Sequence, residues 1–469
     1  MYDTIVKNAM IPQGEDLVPA NILIKAGTIV GITNQDLDAP KVIDAEGNMV
    51  LPGCIDSHTH FMDPGFTHRE NFKAGTSAAA AGGVTTIIDM PCCSVPSVRG
   101  VSDMENKLKA IGPQAIVDFA LWGGVTGEDV RNEKHFQIVK EQTDVGVVAF
   151  KVYMTPSVPS YPRVTDPEMY ECFKAVAAVG LPVGIHAENY AMCDFYVQQY
   201  QRQGRTEGPA WAEARSILAE KVAIELGISF AENTGARLHI VHMSTGIGAK
   251  LVRDGKMRGI NVTSETCPHY LMLDYREAMT EFGAFAKIAP PLRTHEDNEV
   301  LWEGLQKKWV DFMATDHAPY SMEEKTKDNG NIWTAFPGIP GVETMVPLII
   351  SEGYNKGRLS LSRTIEVLSR DAAIHYGLYP KKGSMHIGAD ADFTIIDLNK
   401  EWVIDKDDQY SLCRYTPLHG VALKGKAVKT IVRGQVVYDF DNGGIVGKEG
   451  YGQFIKRQTI SQLPRTVVF

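Results

Sequence analysis

The stretch Asn48-Met49-Val50-Leu51-Pro52-Gly53-Cys54-Ile55-Asp56-Ser57-His58-Thr59-His60 decides how the chain is to be read. Its apolar start, Asn48 to Leu51, reads as a buried strand closed by Pro-Gly, and it leads into two histidines one residue apart. In extended chain, residues i and i+2 point to the same side. The His58 and His60 imidazoles can therefore reach one point in space, as a metal ion requires of its ligands. A lone H-x-H pair is more often an ordinary surface or core feature. The weight comes from what recurs downstream.

Short apolar runs ending in Gly, Pro or polar residues follow one another through the middle of the sequence. After Met49–Cys54 come Gly83–Asp89, Ala115–Trp122, Val145–Lys151, Leu181–His186, Ala236–His242, Ile260–Glu265 and Val310–Asp316. Stretches of helical composition lie between them, such as Ser102–Ile111, Pro167–Val179 and Trp211–Leu226. Eight such units predict an α/β fold of the (β/α)8 TIM-barrel type. A doubly wound open sheet gives no reason for polar residues to converge from so many strands.

Both chain ends carry short alternating runs, for example Ala20–Gly27, Ala391–Asp397 and Val428–Val437. They predict one small β-sandwich domain built from residues 1–52 and 383–440, with the barrel at 53–382 inserted between and a tail at 441–469. The Ala78–Ala81 run reads as the small-residue face of a helix.

The composition is that of a soluble globular protein. Of 469 residues, 44% are hydrophobic and 22% charged, and the formal charge is −10. No Lys/Arg-rich block appears, so a nucleic-acid partner is not expected. No stretch has the length of a membrane span, and Met1–Lys7 alternates like a strand rather than a signal sequence. Seven cysteines without a small-domain disulfide pattern fit a reducing, cytoplasmic setting.

In such barrels the reactive groups sit at the carboxyl ends of the strands. Reading those ends gives His58, His60, Lys151, His186, His242 and Asp316. His239, three residues before His242, faces the other way and reads as structural. His317 should turn away from the metal centre, to orient a loop or meet substrate. His269 reads equally as a support to the site or as structural. Lys151 is the unusual member, because an ammonium repels cations. A desolvated lysine beside cations has a depressed pKa, and its neutral amine can take up carbon dioxide to form a bridging carbamate.

These residues and their surroundings resemble the amidohydrolase superfamily, and within it the cyclic amidases: allantoinase, hydantoinase, dihydropyrimidinase and dihydroorotase. The resemblance runs through Ala80–Thr86, Phe150-Lys151, His186-Ala187-Glu188-Asn189, Glu265–Tyr270, Pro290–Arg293, Ala314–Pro319 and Gly388–Asp392. It implies two divalent ions, usually zinc with manganese, cobalt or iron as alternatives, bridged by carboxylated Lys151. His58, His60 and Asp316 would hold one ion, and His186 and His242 the other. Asp316 would carry the proton from the attacking water to the leaving ring nitrogen. The resemblance also implies a homodimer or homotetramer.

Substrate contacts are expected at Met62, Cys92, Tyr153, Ala289, His317 and Gly338. Met62 stands where dihydroorotases place an arginine, and Cys92 where they place an asparagine; Arg69 is a candidate to compensate. Pro156 stands where D-type hydantoinases and dihydropyrimidinases place a tyrosine, leaving Tyr153 or Tyr161 as substitutes. The loop Asp63–Phe72 and the segment Tyr451–Phe454 look allantoinase-like, although Cys92-Cys93 replaces the leucine–asparagine pair usual there. Allantoin opening to allantoate is the first expectation. Hydrolysis of 5-substituted hydantoins or dihydropyrimidines is the alternative, and dihydroorotate comes last.

Overall fold

In the computed structural model, which describes residues 2–458, the chain forms two hydrogen-bonded sheets. Residues 459–469 of the expected tail, and Met1, lie outside the described residues. The first sheet begins with β1 (Thr4–Gln13), β2 (Asp16–Lys25), β3 (Thr28–Thr33), β4 (Lys41–Asp44) and β5 (Met49–Pro52). The second holds β6 (Cys54–Thr59), β7 (Val84–Asp89), β8 (Asp118–Gly124), β9 (Ala149–Tyr153), β10 (Pro182–His186), β11 (Arg237–Ile240), β12 (Val262–Thr266) and β13 (Phe312–Met313). The chain then returns to the first sheet through β14 (Phe393–Val403), β15 (Ala422–Val432), β16 (Gln435–Asp439) and β17 (Gly444–Ile445).

The eight strands β6 to β13 pair in chain order, every pair parallel. They run through apolar, β-branched sequence such as Val84-Thr85-Thr86-Ile87-Ile88, because helices cover their outer faces and both faces are buried. The seam closes beyond β13. Thr59 bridges His317, His60 N–H donates to the His317 carbonyl at 2.8 Å, and Thr315 N–H donates to Asp56 at 3.1 Å.

The Met49–Cys54 run is not the first barrel strand. β5 belongs to the end sheet, where it pairs with β14, and the barrel starts one residue after Gly53. A Cβ at Gly53 would lie 2.2 Å from Thr85 Oγ1 and 2.7 Å from Asp392 Cβ, so only glycine fits where the chain crosses between sheets. The helical stretch expected at Trp211–Leu226 is likewise two helices, Gly208–Ala214 and Ile217–Thr234. Arg215 breaks the run, and the Ser216 side chain caps the second helix.

The end sheet closes around its own apolar core, which includes Val6, Ile22, Ile24, Val50, Phe393, Ile395 and Ile431. This gives the β-sandwich built from both chain ends. A buried ion cluster ties it to the amino end of the barrel. Lys382 Nζ lies 2.5 Å from Asp118 at the start of β8, and 2.7 and 2.9 Å from Asp392 and Asp390 before β14. Arg433 pairs with the other Asp118 oxygen. Residues Gly452–Ile455 bond back along Ala115 and Phe119, packing that segment on the barrel. No helix among the described residues is long and apolar enough to cross a membrane.

Candidate metal centre and active site

The parallel barrel brings the expected residues to one place. His58 lies within β6 and His60 one residue past its end; Lys151 is central in β9 and His186 ends β10. His242 follows β11 by two residues and Asp316 follows β13 by three. The β9–β10 register sets Lys151 beside Gly184 and Tyr153 beside His186. Ring centroids of His58 and His60, and of His58 and His242, are 5.2 Å apart, and those of His186 and His242 4.7 Å. The Nε2 atoms of His58 and His60 lie 3.2 and 3.1 Å from one Asp316 oxygen. Lys151 is fully buried, its Nζ 4.8 Å from the Tyr153 ring centroid.

Two of these residues hold left-handed backbone, His242 at φ 41° and Asp316 at φ 48°. Such conformations in residues with a Cβ cost on the order of 1–3 kcal/mol and collect at functional sites. Here both fall within three residues of a strand end, after β11 and β13.

Buried carboxylates fix the imidazoles. Glu265 on β12 lies 2.5 Å from His58 Nδ1 and 3.2 Å from His239 Nε2, and it accepts from Ser57 Oγ at 3.0 Å. Glu188 lies 2.7 Å from His186 Nε2 and is held in turn by Arg215. Engaging one ring nitrogen leaves the other free to ligate, the arrangement that orients histidines around metal ions.

Burial alone would raise the Glu188 carboxyl, but Arg215 and His186 outweigh it and hold it down at about 2. Burial pushes the His242 imidazolium well below its ordinary value, helped by Lys151, His186 and His58, so a neutral ring is at hand. Burial likewise pushes the Lys151 ammonium down to about 8.

The donor set fits a metal centre. His58 Nε2, Lys151 Nζ and His242 Nδ1 are buried and without a hydrogen-bond partner, and buried polar atoms rarely go unpaired. One ligand atom each from His58, His60 and Asp316 lies within 4.8 Å of the others. Imidazoles with a carboxylate suit zinc and its neighbours. Carbamylation of Lys151 would replace its ammonium with two oxygens that share one negative charge.

The other expected positions fall differently. Cys92 Sγ lies 3.0 Å from the Tyr153 hydroxyl, and the Tyr153 ring stacks on His186, so both border the cluster. Tyr161 turns away, donating to the Lys151 carbonyl at 2.6 Å and accepting from Val125 N–H. His317 has both nitrogens engaged, with Glu70 at 3.2 Å and with the N–H groups of Gly341 and Val342. It orients loops. The Gly338 carbonyl accepts from Lys325 at 2.8 Å and Tyr415 at 3.2 Å, while Ala289 precedes a cis proline. Met62 is buried, and its sulfur lies 3.9 Å from Arg69 Nη1. Arg69 itself pairs with Glu324 and sits among the Phe66, Tyr320 and Phe336 rings. His269 is buried with an unpartnered Nε2, and burial pushes it down to about 4.

Sequence reading missed the orienting carboxylates. Glu188 stands two residues after His186, the same-side spacing already used for His58 and His60. Glu265 stands at the end of the seventh run and invited the same treatment.

Residues 49–437 match the family model described as "Amidohydrolase family". An L-hydantoinase of Paenarthrobacter aurescens is 34% identical over 98% of this chain and 99% of its own length. An allantoinase of Rubrobacter xylanophilus is 36% identical over 97% of this chain and 98% of its own. Among solved structures, the L-hydantoinase (dihydropyrimidinase) from Arthrobacter aurescens superposes with a TM-score of 0.92 at 34% identity, over 97% of this chain and 100% of that one.

Proposed function

The chain belongs to the amidohydrolase family, and on that footing we propose that it hydrolyses the ring of a neutral five-membered cyclic ureide, allantoin first. The observation that carries this reading is the gathering of His58, His60, Lys151, His186, His242 and Asp316 into one buried cluster, in which His58 Nε2, Lys151 Nζ and His242 Nδ1 have no hydrogen-bond partner. Those six residues would hold two divalent ions, Lys151 as its carbamate. When bound, the ions lower the pKa of water and polarise a carbonyl oxygen. Asp316 accepts the proton of the attacking water and delivers it to the ring nitrogen as the C–N bond breaks. Glu265 and Glu188 keep His58 and His186 in one tautomer and one orientation throughout.

The pairing of Arg69 with Glu324 supports a neutral ring, because it leaves no obvious partner for a ring carboxylate. A second reading, turnover of 5-substituted hydantoins, has its own support. Met62, Cys93, Tyr320, Phe66, Val158 and Phe336 share one apolar cluster with Cys92 and Tyr153 at the edge of the centre. Such a wall suits an apolar ring substituent better than the ureido arm of allantoin.

The test is ring opening by purified protein loaded in parallel with zinc, manganese or cobalt, offered allantoin, 5-substituted hydantoins, dihydrouracil and dihydroorotate. Fast turnover of allantoin is the expected result. Preference for aryl or alkyl hydantoins selects the second reading, and preference for dihydrouracil or dihydroorotate overturns both.

A further inference from the structure

Two thiols face each other beside the His60 ring, and no bond-making or proton-transfer step above uses either. Cys92 and Cys93 follow β7 in the loop Met90-Pro91-Cys92-Cys93, both buried, with their sulfurs 3.5 Å apart. Successive side chains of an extended segment point to opposite sides; this loop instead turns the pair together. Cys92 Sγ also lies 3.5 Å from His60 Nδ1 and 3.0 Å from the Tyr153 hydroxyl.

The separation is informative. A disulfide needs sulfurs about 2.0 Å apart, with a specific dihedral. One atom bonded to both sulfurs asks much less. With bonds of about 2.3 Å and the pyramidal angle of roughly 100° that a lone pair imposes on a trivalent centre, the sulfurs stand about 3.5 Å apart. We propose that Cys92 and Cys93 form a dithiol site for a thiophilic centre that binds two sulfurs at once, with trivalent arsenicals as its chemical class of ligand.

The reaction needs no oxidant. Methylarsonous acid exchanges its two As–O bonds for two As–S bonds; each thiol proton leaves with a hydroxyl as water, and arsenic stays trivalent. The second bond forms within one molecule, at high effective concentration. The remaining cysteines, Cys54, Cys172, Cys193, Cys267 and Cys413, are buried and unbridged. Because Cys92 also meets His60 and Tyr153, capture at this site reaches directly into the candidate centre.

The test treats the folded, metal-loaded protein with one equivalent of methylarsonous acid and reads intact mass, free thiols and the labelled peptide. One methylarsenic group per chain is expected, with two thiols lost and the arsenic on the peptide containing Cys92 and Cys93. A dithiol such as 2,3-dimercaptopropanol should remove it, whereas a monothiol at equal concentration should not. Cys92→Ser and Cys93→Ser should each fail to retain the group. Arsenic mapped to another peptide, an adduct retained by either serine variant, or a folded protein that stays unlabelled while its unfolded chain reacts, overturns the proposal. The mass readout is independent of which ring is hydrolysed.

Discussion

Arg69 and Glu324 form an ion pair that joins the loop after β6 to the segment after β13, Nη2 to Oε1 at 2.5 Å and Nε to both carboxylate oxygens at 2.9 and 3.0 Å. Three aromatic rings surround the guanidinium. A charge so committed does not serve a substrate carboxylate. An unpaired buried carboxylate costs several kcal/mol, so dihydroorotate should turn over at least about 100-fold more slowly than neutral five-membered ureides. Glu324→Gln should narrow that gap in kcat/KM by freeing Arg69. Comparable wild-type rates on both substrates would show that some other cation serves the acid.

Lys151→Ala should remove tightly held metal and reduce turnover to background, because the cations would then face each other without an anion between them. Short carboxylic acids should restore part of the rate by filling the vacated space. Metal content and turnover, measured together, decide it; two retained ions with near-normal rates would rule out a carbamate bridge.

Asp316→Asn keeps an oxygen ligand and loses the proton acceptor. Metal content should stay near wild type while kcat falls by roughly two or more orders of magnitude, the usual scale for a general acid–base group. A rate within a fewfold of wild type would assign the proton to another residue.

Glu265→Gln alters the contacts to His58, His239 and Ser57 without touching substrate. Loss of such an orienting carboxylate costs about 10–100-fold in metal affinity or activity. Competition with a chelator should show weaker metal binding in the variant; unchanged affinity would reduce Glu265 to a packing role.

Lys382→Met should destabilise the protein by roughly 3–5 kcal/mol, the scale for removing one partner of a buried ion pair, because Asp118, Asp390 and Asp392 would lose their shared cation. Burial works against the Lys382 charge, yet these carboxylates hold its pKa above the ordinary lysine value. A group raised in the folded state contributes fully below its unfolded pKa, about 10.5, and loses that contribution as pH rises through the folded one. Wild-type Tm should therefore fall as pH rises above about 10.5, and Lys382→Met, already lower, should show less of that fall.

The barrel was legible because its strands carry apolar runs and most of its candidate ligands stand at or just past strand ends, as His186 and Asp316 do. The carbamate expectation came from one misfit, a lysine among histidines. Boundaries were less legible. Met49–Cys54 reads as one apolar run, and only the tight approach of Thr85 and Asp392 to Gly53 shows that it serves two sheets. The contact of Cys92 with Tyr153 joins residues 61 positions apart, across loops that no local periodicity describes. The engagement of Arg69 by Glu324 was hidden for the same reason, at 255 positions.

The closure of the barrel between Thr59 and His317 has a temporal consequence. During synthesis, a chain that has emerged only through residue 300 contains five of the six candidate ligands but lacks the segment that pairs with Thr59. Asp316 arrives with the segment that docks against β6, so sealing the barrel and completing the ligand set are one event. A ribosome-bound intermediate should thus be unable to hold its first ion through the full His58, His60 and Asp316 set until the seam has shut.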